Sequence, residues 1–141
     1  MRQHETQIAV RFNEIDAYQV AWHGHYVAWL EVGRNELAGR FGLDAAQLVA
    51  AGYLGPVVAL ELKYLRPARF NDRLTVLTTA RRTETPTLEF RTVILGEDGK
   101  PLARGVTVHA LTDLAGTTQY RLPAPIAERV EQMLAWAEGE I

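Results

Sequence analysis

An α+β domain is what this sequence predicts, and three observations predict it. Four stretches across residues 58–110 alternate apolar with polar side chains, the two-residue period of half-buried strands. One stretch, residues 26–41, repeats apolar residues at three- and four-residue steps instead, the period of an amphipathic helix. That helix is inserted early, after a first strand and before the run of strands. An antiparallel sheet packing one face on the helix is therefore expected.

The elements follow in order. Ile8, Val10 and Phe12 alternate with Gln7, Ala9, Arg11 and Asn13, which predicts a half-buried strand. A loop runs to Trp22. Tyr26, Trp29, Leu30, Gly33, Leu37 and Phe41 then form one apolar stripe, with Glu31, Arg34, Asn35, Glu36 and Arg40 opposite, and Gly42 is a helix stop. Asp44 reads as the N-cap of a short Ala-rich helix closed by Gly52. Val58, Leu60, Leu62 and Tyr64 share a face of the next strand, as do Leu74, Val76, Thr78 and Ala80 after it. Leu88, Phe90, Thr92 and Ile94 follow, then Leu102, Val106, Val108 and Ala110. Asp98-Gly99 between the last two strands is a hairpin signal. Pro123 and Pro125 open a terminal helix over residues 126–137, since proline in a first turn gives up an N–H that has no partner there.

Composition bounds the function. The 141 residues, 48% hydrophobic and 23% charged, form one expected domain, 1–141, with enough apolar side chains for a core. A net charge of −2 gives no whole-domain electrostatic case for nucleic acid. Cysteine is absent, which removes disulfides, thiolate metal ligands and a cysteine nucleophile, and fits a reducing compartment; a cytoplasmic protein is expected. No secretory signal is visible in the polar residues 1–6, and no apolar run reaches the roughly 18 residues of a membrane helix, so no membrane insertion is expected. One helix on a sheet of about five strands leaves edges uncovered. A homodimer joining two sheets is the expected remedy.

The stretch Asp16-Ala17-Tyr18-Gln19-Val20-Ala21-Trp22-His23-Gly24-His25-Tyr26 carries an acid, two imidazoles and aromatics just ahead of the helix stripe. A helix start presents unpaired N–H groups and partial positive charge, which suit an oxyanion. A carboxylate held across from it could attack a carbonyl carbon or deprotonate water, a hydrolase layout without serine, cysteine or metal. Equally, Asp16 could cap a turn through its own backbone. His23 and His25 lack a third ligand at helical spacing, so no metal site is read. Trp22 and Trp29 are core or pocket wall, and Glu31 with Arg34 forms an i,i+3 helix pair. Lys63, Arg66 and Arg69, with Arg81 and Arg82, make a basic surface: a seat for a phosphorylated ligand, or solvated strand ends.

These residues resemble a known family, the 4-hydroxybenzoyl-CoA thioesterase-like acyl-CoA thioesterases of the hotdog fold, including the bacterial Tol-Pal-associated type. The likeness rests on Val10-Arg11-Phe12-Asn13-Glu14-Ile15-Asp16, with Val20, His23 and Tyr26 four, seven and ten residues after the acid. It continues through Tyr26-Val27-Ala28-Trp29-Leu30-Glu31-Val32-Gly33-Arg34 and Tyr64-Leu65-Arg66-Pro67-Ala68-Arg69. It implies a long central helix wrapped by a curved antiparallel sheet of about five strands, and dimers, assembling further as a dimer of dimers, with the active site at the interface. The implied substrate is an acyl-CoA and no cofactor is implied. Asp16 would be nucleophile or general base, assisted by His23, and the helix-start amides at His23 and Gly24 would polarise the thioester. Tyr18, Trp22, His25, Tyr26 and Glu31 would bind substrate, and Arg66, Arg69, Arg81 and Arg82 the CoA phosphates. Two departures stand out: Tyr18 and Gln19 replace glycines that often follow the acid, and His25 replaces an asparagine. A non-catalytic acyl-CoA-binding or scaffold protein on the same fold is the alternative.

Overall fold

The computed structural model describes residues 1–139; the last two residues of the expected domain lie outside it. In chain order the elements are β1 (His4–Ala9), a 3-10 turn (Phe12–Glu14), α1 (His23–Gly39), α2 (Ala45–Ala51), β2 (Tyr53–Leu54), β3 (Val57–Tyr64), β4 (Arg73–Arg81), β5 (Thr87–Leu95), β6 (Pro101–Ala110), β7 (Thr112–Asp113) and α3 (Ala124–Glu138). Five strands pair antiparallel in the order β1-β4-β5-β6-β3, and the short β2 and β7 pair separately.

The centre of the sheet follows the alternation. β4 buries Leu74, Val76, Thr78 and Ala80, and β5 buries Leu88, Phe90, Thr92 and Ile94. Val76 lies opposite Ile94, and Ala80 opposite Phe90, so the two apolar faces fall on one side. α1 packs there through Tyr26, Trp29, Leu30, Gly33, Leu37 and Ala38. Asp44 caps α2, accepting from Gln47 N–H at 2.8 Å while Gln47 Oε1 accepts from Asp44 N–H at 3.0 Å. Gly52 ends that helix at φ 95°, a conformation open to glycine. α3 lays Ile126, Val130, Met133, Leu134 and Ala137 on the far end of the core, against Leu37, Leu88, Phe90 and Leu111. The near end joins Val10, Tyr26, Trp29, Leu30, Val76 and Ile94.

Helix and sheet approach most closely at two glycines. A Cβ on Gly33 would sit 2.8 Å from Val76 Cγ1 and against Thr78 Oγ1. A Cβ on Gly105 would sit 2.6 Å from Leu30 Cδ1. At Gly33 the obstructing atoms belong to β-branched side chains of a central strand, which cannot swing away. Gly33→Ala is therefore expected to destabilise by about 1–3 kcal/mol, through overpacking, despite alanine's better helix propensity. Urea unfolding followed by circular dichroism measures it; an unchanged midpoint would show that α1 can lift off the sheet at no cost.

Three expectations need correction. The first strand stops at Ala9: Val10 N–H donates to Asp72 O, and the chain turns at Phe12. Phe12 is 78% exposed and packs edge-on against Phe70 instead of joining the core. On β6 the core face is Ala103, Gly105, Thr107 and His109, while Val106, Val108 and Ala110 point to the other side. The pairing puts Ala103, Gly105, Thr107 and His109 opposite Ile94, Thr92, Phe90 and Leu88 of the buried face of β5, and a one-residue change of frame flips a strand's faces. Arg34, placed on the polar side of α1, is mostly covered, its side chain 14% exposed.

The edge strand β3 is exposed along most of its length. Leu60, Leu62 and Tyr64 lie opposite Thr107, Gly105 and Ala103, on the α1 side of the sheet, yet α1 does not reach far enough to cover Leu60 and Tyr64.

Candidate active site

The loop of residues 10–22 is tied down at both ends by main-chain bonds. Asn71 N–H donates to Val10 O at 3.0 Å, and Ala21 N–H to Ala68 O at 2.8 Å. Between them Glu14, only 3% exposed, gathers the loop: its Oε1 accepts from Arg11 N–H at 2.7 Å and its Oε2 from Trp29 Nε1 at 3.1 Å. Burial alone would raise the Glu14 carboxyl. Bonds from the Arg11 backbone and side chain and from Trp29, with the guanidinium charge, outweigh it and hold the carboxyl below its ordinary value. Glu14 O also accepts from Trp22 N–H at 2.9 Å, which sets where α1 begins.

Within that frame residues 16–20 close a tight turn. Asp16 N–H donates to Val20 O at 2.9 Å and Gln19 N–H to Asp16 O at 3.0 Å. The Asp16 side chain takes part: Oδ1 accepts from Tyr18 N–H at 2.8 Å. Its other oxygen has no hydrogen-bond partner among the described residues. Gln19 sits at φ 65°, where a side chain costs about 1–2 kcal/mol that glycine would not.

α1 begins immediately after this turn. Its N-cap, Trp22, has no capping side-chain oxygen, and no acidic residue stands in the first turn. The leading N–H groups of α1 are therefore left without a side-chain acceptor. Tyr26, 3% exposed, accepts from Ala68 N–H through its hydroxyl at 2.9 Å. Burial pushes its phenol above the ordinary range, against the Ala68 bond, and the Asp72 and Asp16 carboxylates push the same way.

A cleft of about 440 Å3 opens at this point, and Asp16, Tyr18, Trp22, His23 and Tyr26 all line it, with Tyr64 and Arg66 on the opposite wall. Six of the sequence-predicted site residues thus converge. The others do not. Gly24 is covered by the Trp22 indole, which occupies the place a Cβ would take. His25 meets the edge of the same indole at 5.5 Å. Glu31 is paired with Arg34, farther along α1. Arg66 reaches the cleft, but its guanidinium is held by both oxygens of Asp98, at 2.9 and 3.0 Å, and it in turn holds the Asp98 carboxyl down at about 2. Arg69 is exposed, and its N–H donates to Asp72 Oδ2. Arg81 and Arg82 stand at the far end of β4, about 26 Å of strand from Arg73, and Arg82 is occupied by Glu131 and Glu138 of α3.

Two residues that matter here were not assigned to the site from sequence. Glu14 carried a signal, an acid three residues after Arg11 just ahead of a helix. Tyr64 lay in the second quoted motif but reads there as one more apolar position of a strand.

A long helix laid on one face of a five-stranded antiparallel sheet is the hotdog architecture. Residues 10–136 match the thioesterase-like superfamily, and the chain belongs to it. A putative esterase of Synechocystis is 31% identical over 128 residues, covering 89% of this chain and 77% of its own length. The long-chain acyl-CoA thioesterase FadM of Escherichia coli is 26% identical over 132 residues, 92% of this chain and 98% of its own. In fold, the chain is similar to a DHNA-CoA thioesterase of Staphylococcus aureus, with a TM-score of 0.88 over 100% of this chain and 97% of the other, at 23% identity. No helix among the described residues is long and apolar enough to cross a membrane.

Proposed function

We propose that this protein hydrolyses an acyl-CoA thioester to a free acid and CoA, with Asp16 as the reacting carboxylate and the start of α1 as the oxyanion site. The observation that carries this reading is a shared cleft: Asp16, with one oxygen anchored and the other unengaged, lines the same cavity as His23 at an uncapped helix start. A thioester whose carbonyl oxygen meets the helix tip has its carbon made electrophilic there. Asp16 then either attacks that carbon or takes a proton from a water that does. The tetrahedral oxyanion collapses, the C–S bond breaks, and CoA leaves as thiolate; the water route yields the free acid directly, and on the carboxylate route water then hydrolyses the Asp16–acyl anhydride. Tyr18, Trp22, Tyr26 and Tyr64 supply aromatic walls for the acyl group, and Arg66 at the cleft, with the exposed Arg69 three residues on, offers positive charge for the CoA phosphates. Thiol release assayed over acyl-CoAs of graded length and aromaticity tests the reading. Saturable acyl-CoA binding without thiol release from any member would reject turnover in favour of a binding module.

The active form in this reading is a homodimer joined along β3. Support comes from the bare edge: Val58 is 59% exposed, Leu60 46% and Tyr64 45%, on a strand whose outer backbone groups have no neighbour in the sheet. Tyr64 also lines the cleft, so a partner on this edge would wall the site. Leu60→Arg is expected to convert a dimer into a monomer in sedimentation analysis and to lower turnover with it. A wild-type protein that sediments as a monomer would end this part of the reading.

A further inference from the structure

We infer that Tyr64 is the positioning residue for the helix-tip donors, an inference that rests on the function proposed above. Tyr64 stands at the end of β3, and its hydroxyl donates to the His23 carbonyl oxygen at 2.8 Å. Its ring meets the His23 imidazole edge-on, centroids 6.3 Å apart, and the Tyr26 ring edge-on at 5.0 Å. It lines the cleft together with Asp16 and His23.

The bond acts on the tip of α1 in two ways. First, the His23 carbonyl and the Gly24 N–H are the two ends of one planar peptide. A donor at the oxygen draws electron density toward it and leaves the N–H at the other end more positive, as in any hydrogen-bonded chain. N–H groups at a helix start point back toward its N-terminus. Second, Trp22 offers α1 no side-chain cap, so the first turn lacks the usual device for fixing its orientation. The Tyr64 hydroxyl ties that turn to the sheet edge. One turn on, the Tyr26 hydroxyl accepts from Ala68 N–H and ties α1 to the connection after β3. The position of the donors relative to Asp16 is thus set from β3, a strand distant in sequence from both.

Tyr64→Phe removes one oxygen and keeps the ring contacts. Losing a whole oxyanion donor costs about 10²–10³ in kcat, so weakening one is expected to cost about five- to ten-fold. KM for the same acyl-CoA should change by less than about two-fold, because the loss falls on the transition state. In the ligand-free protein the Gly24 amide proton resonance should move upfield as the peptide loses its polarising donor. A variant with wild-type kcat, a loss confined to KM, or an unmoved Gly24 resonance would each overturn the assignment. If the wild-type protein releases no thiol from any acyl-CoA, the functional reading falls, and the Gly24 resonance alone then decides the role of Tyr64 at the helix tip.

Discussion

Asp16→Asn lowers thioester turnover by about 10²–10⁴-fold while the protein stays folded and its assembly is unchanged; that is the expected result if the carboxylate reacts. The substitution is chosen for what it retains. The asparagine oxygen can still accept from Tyr18 N–H, so the turn over residues 16–20 keeps its side-chain bond. Only the charge and the nucleophilic oxygen are lost. Asp16→Ala removes the turn bond as well and serves as the comparison: the two variants should be equally inactive, with the alanine protein less stable. An active Asp16→Asn protein would reduce Asp16 to a turn residue and defeat the proposed mechanism. Single turnover in oxygen-18 water separates the two chemical routes, because label in the Asp16 carboxyl requires a covalent anhydride.

The second large effect concerns stability. Glu14→Ala is expected to destabilise the fold by about 2–4 kcal/mol, because it strands two donors, Arg11 N–H and Trp29 Nε1, in or beside the core. For a domain of this size that is a fall of roughly 10 °C in Tm. The effect carries a pH signature. The Glu14 carboxyl is held below its ordinary value of 4.5 in the folded protein, so the unfolded chain binds its proton first as pH falls. Its contribution to stability is complete above that ordinary value and is lost as pH drops through the lower folded one. Wild-type stability should therefore fall more steeply below pH 4.5 than that of Glu14→Gln. Parallel acid limbs in the two proteins would show that the Glu14 charge is not what anchors the loop.

These two carboxylates, two residues apart, show how unevenly the site could be read from sequence. Asp16, which lines the cleft, was singled out because it stands at a fixed interval from His23 and Tyr26, within a motif. Glu14 was not, because an acid near an arginine ordinarily makes a surface pair. Only packing against Trp29 reveals that this one is buried. The basic residues went the other way. Arg66, Arg69, Arg81 and Arg82 look like one group in the sequence, yet the length of β4 separates one pair from the other, and Arg66 and Arg82 are already engaged by acids. Counter-ions contributed by a hairpin tip and a distant helix leave no local trace.

Periodicity alone determined that a helix would occupy most of residues 26–41, where α1 ends at Gly39 and Phe41 lies in the turn beyond, and that four alternating strands would follow, because side-chain direction along a strand or helix repeats locally. Capping and turn residues placed Asp44 and Gly52 as the ends of α2 and located the Asp98-Gly99 hairpin. Tertiary structure decided the rest. The β6 face that meets the core depends on its register against β5, which sets Gly105 and Thr107 opposite Thr92 and Phe90. The start of the site depends on Glu14 and Tyr64 reaching the first turn of α1 from a loop and from an edge strand. Local pattern specifies which way a side chain points; only the packing of distant segments specifies what it finds there.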